Sequence, residues 1–331
     1  SPVSGLLLAK EINILSLKNV SFSYGNNNVL TDFSLSVEEG SFTTLLGASG
    51  SGKTTILKIM AGFLSPTKGS VILNGKDVTK IPVEKRNIGF VFQDYALFPH
   101  LTVKENLLFG FSHSERKNQK ENLEETVKSL NIENLLSRYP HELSGGQQQR
   151  VALGRSLMLK PKIILMDEPL SSLDAKLRLH VREELLEIQK QIGITTVYVT
   201  HDQEEAFSLS SKIAVLHQGN LVQYDTPRNV YYYPNSKTSA ELSGMTNYIK
   251  SGKDVVMVRP EWIEFSDKFT KNEKNQIQGR MISSSFLGSV TRCRIETAEC
   301  EGGILTVDSH CSNIPKTDSK VYLVYKTPDF C

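Results

Sequence analysis

The chain has 331 residues, of which 39% are hydrophobic and 22% charged, and its formal net charge is +2. That balance gives no electrostatic reason to expect a nucleic-acid partner, and no run of about 18 apolar residues predicts a membrane span. The length exceeds the roughly 100–200 residues of one domain, so we expect two domains. The N-terminal segment SPVSGLLLAK has no preceding basic region and no small-residue cleavage pattern, so it does not indicate a signal peptide.

The first forty residues alternate apolar and polar side chains, which predicts half-buried strands. The segment SFTTLLG then predicts a strand that runs into the glycine loop GASGSGKTT, and KTTILKIMAGFL predicts the helix that follows. SVILNG and IGFVFQ predict further short strands, whereas residues 102–111 and 121–130 have a helical pattern. A helical segment at about residues 90–160 therefore interrupts an α/β pattern.

The segment LSGGQQQR leads into a predicted helix that ends at about Leu159. KIILMDEP is an apolar strand ending in two acids, and such strands suit a sheet that is covered on both faces. The pattern then predicts an amphipathic helix that Gly193 ends, a buried strand at ITTVYVTH, a hairpin about residues 218–220 and a short helix at PRNVYYYP. We expect these elements to form an α/β domain over residues 1–240.

From Val255 onward, short strands alternate with turn residues, as in VVMVRP, GGILTVDS and KVYLVYK. This pattern predicts a second domain at residues 241–331, a small all-β barrel. The cysteines match no common zinc spacing. We expect free thiols at Cys293, Cys300, Cys311 and Cys331.

The segment GASGSGKTT matches the spacing of a P-loop, in which backbone N–H groups and the start of a helix surround phosphate oxygens. The helix dipole stabilises an anion at the N-terminus of the helix by only about 0.3–1 kcal/mol. Lys53 and a magnesium ion must therefore compensate most of the phosphate charge, with the Thr54 hydroxyl as a magnesium ligand. The candidate ATP-binding residues of the loop are Gly47, Ser49, Gly50, Ser51, Gly52, Lys53, Thr54 and Thr55.

Two acids follow the buried strand IILM, at the edge of a parallel sheet where ligands collect. Asp167 is placed to reach magnesium, and Glu168 is placed as a general base for an attacking water. Gln93 is a candidate ligand of magnesium or of that water, and Tyr24 offers an aromatic face to a base. His201 taken alone is more typical of an ordinary hydrogen-bonded histidine than of a functional one.

The chain resembles the nucleotide-binding subunits of ATP-binding cassette (ABC) transporters. The resemblance rests on seven motifs that occur in this order: the aromatic residue, the P-loop, the glutamine, LSGGQ, the Asp-Glu pair, SSLD and the histidine. The resemblance covers residues 15–234 and implies the P-loop ATPase fold with a helical subdomain. It implies that the aromatic residue stacks on adenine, that the glutamine belongs to the Q-loop, that the acids are the Walker B acid and the catalytic base, and that the histidine contacts the γ-phosphate. The implied residues are Tyr24, Gln93, Asp167, Glu168 and His201, with Asp174 in the D-loop.

The same resemblance implies that two copies close head to tail on two ATP molecules with Mg²⁺. In that homodimer, each ATP lies between one P-loop and the LSGGQ segment of the other copy. The residues expected to bind ATP in trans are Ser144, Gly145, Gly146 and Gln147.

The segment FVFQDYALFPHLTVKENLLFG is similar to subunits of binding-protein-dependent importers, and VRPEWIEF resembles their OB-like, TOBE-type regulatory domain. Asp94 and Phe98 favour importers of ferric iron, polyamines, phosphonates or other ions over importers of sugars. The resemblance implies a peripheral subunit at the cytoplasmic face of the plasma membrane, with two transmembrane permease subunits and a periplasmic or lipid-anchored solute-binding protein. Residues 95–100 form a predicted aromatic docking patch for the permease.

Two residues depart from the family pattern. Gly154 replaces the usual alanine within a helix, and glycine is less favourable than alanine there by about 1 kcal/mol. Ser211 replaces the usual aspartate. The alternative function is a regulatory ATPase switch whose C-terminal domain binds a metabolite or a partner protein. A soluble cassette protein of translation or DNA repair is disfavoured because the chain shows no second cassette and no long coiled coil. An exporter is disfavoured because no membrane helix is fused to the cassette.

Overall fold

The computed structural model describes residues 13–267 and 275–328, so SPVSGLLLAK and Cys331 lie outside the described residues. The chain divides into two compact units, one up to Pro227 and the other from Arg228 onward. The sequence places this boundary near residue 240. The helix at 237–243 belongs with the later unit because the Arg259 guanidinium donates a hydrogen bond of 2.8 Å to its Ala240 carbonyl.

The elements of the first unit follow the predicted order. Its strands, within the described residues, are β1 (Asn13–Tyr24), β2 (Asn27–Glu38), β3 (Phe42–Leu46), β4 (Lys68–Leu73), β5 (Lys76–Asp77), β6 (Ile88–Val91), β7 (Ile163–Asp167), β8 (Thr195–Thr200), β9 (Lys212–His217) and β10 (Asn220–Asp225). Its helices over the same ranges are α1 (Lys53–Ala61), α2 (Val103–Leu107), α3 (His113–Arg116), α4 (Lys120–Ser129), α5 (Gly145–Leu157), α6 (Ala175–Ile192) and α7 (Gln203–Leu209).

The central sheet has the strand order β10-β9-β3-β8-β7-β6 and is parallel except for β10. Every residue of β3 and of β8 is buried. Helix α1 and an antiparallel sheet of order β2-β1-β4-β5 pack on one face, and α5 and α6 pack on the other. The strands β3, β6, β7 and β8 therefore deliver the P-loop, Gln93, the acid pair and His201 to one edge of the sheet.

The helical segment is present, but one of its helices is shorter than predicted. Helix α2 covers only five residues of the range 102–111, after a capping box between Thr102 and Glu105. The chain then turns, because Ser112 and Glu115 form a second capping box that starts α3. Gly154 faces the side chains of Leu107 and Leu130, and a Cβ there would lie 2.8 and 2.9 Å from their methyl groups.

The second unit is mostly β-structure. Its elements, within the described residues, are α8 (Pro227–Tyr232), α9 (Lys237–Ser243), β11 (Asn247–Ser251), β12 (Asp254–Val258), β13 (Ile263–Ser266), β14 (Gln276–Phe286), β15 (Thr291–Glu296), β16 (Ile304–Ser309) and β17 (Lys320–Tyr325). An antiparallel sheet of order β13-β17-β14-β15-β16 curls so that its edge strands β13 and β16 approach each other. Cys293 and Cys300 are buried free thiols, and Cys311 is an exposed one.

Candidate active site

The loop after β3 has the backbone geometry of a phosphate-binding loop. Gly50 and Gly52 adopt φ values of 80° and 96°, which side-chain-bearing residues rarely adopt. A Cβ on Gly47 would lie 2.5 Å from the carbonyl oxygen of Leu216. The glycines therefore let the chain turn tightly from β3 into α1.

Lys53 lies inside this loop and is buried. Its Nζ donates hydrogen bonds to the carbonyl oxygens of Gly47, at 2.7 Å, and Ala48, at 3.0 Å. Burial lowers the pKa of Lys53, and the nearby charges of Glu168 and Asp167 oppose that shift. The buried Ser51 Oγ has no hydrogen-bond partner within the described residues. The loop thus offers a cation and an unpartnered hydroxyl to an anionic ligand.

An open groove of about 370 Å³ runs along this loop. Tyr24, Asn27, Val29 and Glu168 line it together with residues of the loop. Tyr24 is 48% exposed and packs edge to face on Phe22, with 4.8 Å between ring centroids. The contributions of Asn27 and Val29 were not predicted, because nothing in their residue types distinguishes them from other residues of β2.

Thr54 and Asp167 come together at the base of the groove. The Thr54 hydroxyl donates a hydrogen bond of 3.0 Å to Oδ1 of Asp167. Burial raises the pKa of Asp167, and the Thr54 hydrogen bond opposes this shift. A hydroxyl and a carboxylate oxygen therefore meet where the sequence predicts magnesium.

Glu168 and His201 form a pair, with 3.2 Å between Oε2 and Nδ1. The backbone of Glu168 has a φ of 43°, a strained conformation that costs about 1–3 kcal/mol for a residue with a side chain. Three hydrogen bonds hold it there: its N–H donates to the Val199 carbonyl, and the N–H and Oγ of Ser171 donate to its carbonyl. The carboxylate is thus fixed at the rim of the groove.

Gln93 contacts the loop that follows the acid pair. Its Nε2 donates a hydrogen bond of 3.1 Å to Ser171 Oγ. Ser171 in turn donates to the Glu168 carbonyl at 2.9 Å. In this conformation the glutamine contacts the loop that carries the acid pair.

The LSGGQ segment forms the start of α5. Ser144 is its exposed N-cap, in a capping box with Gln147, and the Ser144 N–H donates to Gln147 Oε1 at 3.0 Å. The two glycines allow close packing on α6 and the segment before it. A Cβ on Gly145 would lie 2.5 Å from a Leu173 methyl group, and one on Gly146 would lie 2.8 Å from a Val181 methyl group.

Asp174 is the N-cap of α6, and its Oδ1 accepts a hydrogen bond of 3.0 Å from the Leu177 N–H. This contact fixes the chain that leads from the acid pair into α6. The D-loop aspartate therefore has a structural contact within its own chain.

The predicted aromatic patch at residues 95–100 needs one correction. Tyr95 has a φ of 61° and is 4% exposed, and its hydroxyl donates to the Pro169 carbonyl at 3.1 Å. Tyr95 is thus part of the core and not of a surface. Phe98 of this segment is partly buried and stacks on the exposed Phe109, with 4.0 Å between centroids, and Phe63 is a further exposed aromatic residue.

The ABC transporter family matches residues 30–171 of the chain. The spermidine/putrescine import ATP-binding protein PotA of Chromobacterium violaceum is 38% identical, and the match covers 91% of this chain and 92% of PotA. The Fe(3+) ions import ATP-binding protein FbpC of Fusobacterium nucleatum is 38% identical, and the match covers 94% of this chain and 91% of FbpC.

Solved structures agree with these relatives. CbiO1 of Clostridium perfringens, part of the ABC transporter complex cbiONQ, aligns with a TM-score of 0.60 at 27% identity over 67% of this chain and 91% of its own. The dimeric ATP-binding cassette MJ0796 with bound ADP and Pi aligns with a TM-score of 0.54 at 34% identity over 65% of this chain and 99% of its own.

The fold and the site define an ABC-type P-loop ATPase. The chain belongs to the family of ATP-binding subunits of ABC transporters, and it is an ATP-hydrolysing subunit of the import type that powers uptake of a small solute. The predicted fold class, family, enzymatic activity and importer function are confirmed. Among residues 13–267 and 275–328, no helix combines the length and the apolar character that a bilayer crossing requires.

Proposed function

We propose that this subunit powers the import of a polyamine, ferric iron or another ion, and that it acts as a head-to-tail homodimer that closes on two ATP molecules. One observation supports the head-to-tail dimer. Ser144 to Gln147 do not line the groove beside the chain's own P-loop, and Ser144 is exposed. An exposed serine at the start of a helix suits the phosphate of a nucleotide held by another copy.

ATP fits the groove in one direction. Its phosphates lie in the P-loop, where Lys53 exchanges the carbonyls of Gly47 and Ala48 for phosphate oxygens. The unpartnered Ser51 hydroxyl gains a partner there, and the exposed ring of Tyr24 stacks on adenine. The remaining loop residues supply backbone N–H groups.

The residues at the base of the groove fit Mg²⁺, which prefers oxygen ligands. The Thr54 hydroxyl and the Asp167 carboxylate would hold the ion, which would neutralise charge on the phosphates. Gln93 would join them through its amide oxygen, because its Nε2 donates to Ser171.

Glu168 is the proposed base for hydrolysis. Its carboxylate accepts a proton from the attacking water, while His201 contacts the γ-phosphate. The hydrogen bonds to the strained Glu168 backbone keep the carboxylate in place before the substrate arrives. In the closed dimer, Ser144 of the partner subunit completes the phosphate site.

The exposed aromatic residues are the proposed contact with two transmembrane permease subunits. Phe109 is 47% exposed and Phe63 is 43% exposed, and exposed apolar patches mark interaction surfaces. Docking there would place the subunit at the cytoplasmic face of the membrane, opposite a periplasmic or lipid-anchored solute-binding protein. The relatives named for spermidine/putrescine and Fe(3+) import support a polyamine or ferric iron as the solute.

Mixed dimers test the head-to-tail arrangement. Chains with Lys53→Ala and chains with Ser144→Arg should each be inactive alone, although Ser144→Arg should still bind ATP as a single chain. If each site combines Lys53 of one chain with Ser144 of the other, a mixture contains dimers with one intact site. ATP hydrolysis should then reappear on mixing. Continued inactivity of the mixture, with dimer formation verified, would refute the proposal.

The solute is tested on the complex purified from membranes with its permease and binding protein. Spermidine, Fe³⁺ and maltose are added separately, and stimulation of ATP hydrolysis is measured. Stimulation by spermidine or Fe³⁺ is expected, and stimulation by maltose alone would contradict the proposed solute class.

A further inference from the structure

A buried carboxylate lies behind His201. Glu205, on α7, is 3% exposed, and its Oε2 accepts hydrogen bonds of 2.8 Å from both the Tyr198 and the Thr200 hydroxyls. Burial raises the pKa of Glu205, and the two hydroxyl donors oppose that shift. The chemistry proposed above does not use this group, although burying a carboxylate is costly.

Thr200 connects this carboxylate to both sides of His201. Its Oγ1 donates to Glu205 and also accepts a hydrogen bond of 2.9 Å from the Asp202 N–H. Thr200 and Asp202 are the chain neighbours of His201. One hydroxyl therefore fixes the backbone on either side of the histidine.

The second neighbour is also held from outside the loop. Asp202 Oδ2 lies 3.5 Å from Arg178 Nη1, while Oδ1 accepts from the Glu204 N–H at 2.8 Å. Arg178 donates through Nη2 to the Leu173 carbonyl at 2.9 Å, next to the start of α6. The His201 backbone is thus fixed relative to both α6 and α7.

The His201 side chain has no such enclosure, since it is 57% exposed. The contact that orients it is the 3.2 Å approach to Glu168. Glu168 is itself fixed to β8, through its N–H and the Val199 carbonyl at 3.1 Å. The distance between the two catalytic candidates therefore depends on where the end of β8 holds His201. A polar cavity of about 40 Å³ is lined by both of them and by Glu205.

We propose that Glu205 is a positioning residue for the catalytic pair: acting through the Thr200 hydroxyl, it holds His201 at the distance that lets it meet Glu168 and the γ-phosphate. The proposal rests on the function proposed above for Glu168 and His201. Its physical basis is preorganisation, because a misplacement of about 1 Å costs roughly 10²-fold in rate.

The test compares two hydroxyls that bind the same oxygen. Thr200→Val removes the donor next to His201, and Tyr198→Phe removes the other donor at the same distance from Glu205. For Thr200→Val we expect kcat of ATP hydrolysis to fall at least tenfold with the KM for ATP changed less than twofold. Tyr198→Phe should keep kcat within twofold, even where its Tm falls as far as that of Thr200→Val.

Conservative variants complete the test. Thr200→Ser keeps the hydroxyl and should restore kcat. Glu205→Gln keeps an acceptor oxygen and should stay within about threefold of the parent kcat, whereas Glu205→Leu should fall like Thr200→Val. All assays use the full chain in its dimeric complex, at saturating ATP and with the folded fraction measured.

Two outcomes would overturn the positioning role: an unchanged kcat in Thr200→Val, or equal losses in Thr200→Val and Tyr198→Phe that follow the folded fraction. These outcomes are separable from a failure of the proposed function. That failure appears in the mixed dimers and in Glu168→Gln, neither of which alters Thr200.

Discussion

The Thr54 hydroxyl donates a hydrogen bond of 3.0 Å to Oδ1 of Asp167, so the first turn of α1 is joined to the end of β7. The two residues are far apart in sequence and meet because β3 and β7 both border β8 and end at the same edge of the sheet. The contact brings together the two oxygen atoms that we propose as ligands of a magnesium ion. A substitution at Thr54 can remove this hydroxyl while the rest of the P-loop stays unchanged.

The first prediction concerns this hydroxyl. Thr54→Val keeps the shape of the side chain and removes the oxygen, so ATP affinity should lose most of its dependence on Mg²⁺. We expect the ratio of the Kd in EDTA to the Kd in Mg²⁺ to fall about tenfold, equivalent to 1.4 kcal/mol. Thr54→Ser should retain the parent ratio. Isothermal titration measures both values, and a parent-like ratio in Thr54→Val would exclude the hydroxyl as a ligand.

The second prediction concerns the proposed base. Glu168→Gln should slow ATP hydrolysis by about 10²–10³-fold, the usual effect of removing one transition-state group. Bound ATP should be retained, because Lys53 and the P-loop are unchanged. Single-turnover hydrolysis and ATP retention measure the two effects. Glu204→Gln, the same change at an exposed acid of α7, is the control and should keep the parent rate. Hydrolysis by Glu168→Gln at the parent rate would mean that another group is the base.

The order of motifs along the chain was enough to predict which strands carry the site. The apolar strands at IILM and TTVYV predict parallel neighbours, and the acids and His201 come directly after them. Their convergence follows from sheet geometry alone. The sequence also predicts the end of α6, because Gly193 is of the residue type that ends helices.

Side-chain directions in the loops could not be predicted in the same way. Tyr95 is in a left-handed conformation, and its ring lies in the core. Arg155 holds the backbone there through two hydrogen bonds, to carbonyls that are 59 and 60 positions away in sequence. The partner of Gln93 depends on the loop of Ser171, which has no periodicity. The role of Glu205 requires the spatial meeting of β8 and α7, whereas in sequence it resembles any acid of an amphipathic helix.

The third prediction concerns Arg259, whose side chain is fully buried in the second unit. Its guanidinium donates to the carbonyls of Ala240, Gly244 and Tyr231 at 2.8–3.0 Å. Arg259→Met removes these buried hydrogen bonds of a charged donor and should lower the free energy of unfolding of this unit by about 3 kcal/mol. Fluorescence of Trp262, the single tryptophan, follows the unit in urea.

The control for Arg259→Met is Arg280→Met. Arg280 forms exposed ion pairs with Glu296 and Asp318 on the same β-rich unit. Exposed pairs contribute little, so the urea midpoint should move much less. Equal shifts for the two variants would show that the buried hydrogen bonds of Arg259 do not dominate its contribution.

The last prediction is the pH dependence of stability that Glu205 causes. Burial raises the folded-state pKa of Glu205 above that of an exposed glutamate, which is about 4.3. At pH values between these two pKa values, the folded chain binds more protons than the unfolded chain. Stability from this group is therefore fully present below the unfolded pKa and is lost as pH rises through the folded pKa. Glu205→Gln cannot ionise and avoids that loss. The free energy of unfolding of Glu205→Gln relative to the parent should thus increase from pH 4.5 to pH 8.

Urea titrations followed by far-UV circular dichroism measure this difference in the free energy of unfolding. Trp262 fluorescence identifies the separate transition of the second unit. Glu204→Gln, at an exposed position of the same helix, is the matched control and should show a smaller change over this range. If the difference in free energy of unfolding between Glu205→Gln and the parent stays constant or decreases as the pH rises, ionisation of the buried carboxylate does not destabilise the folded protein.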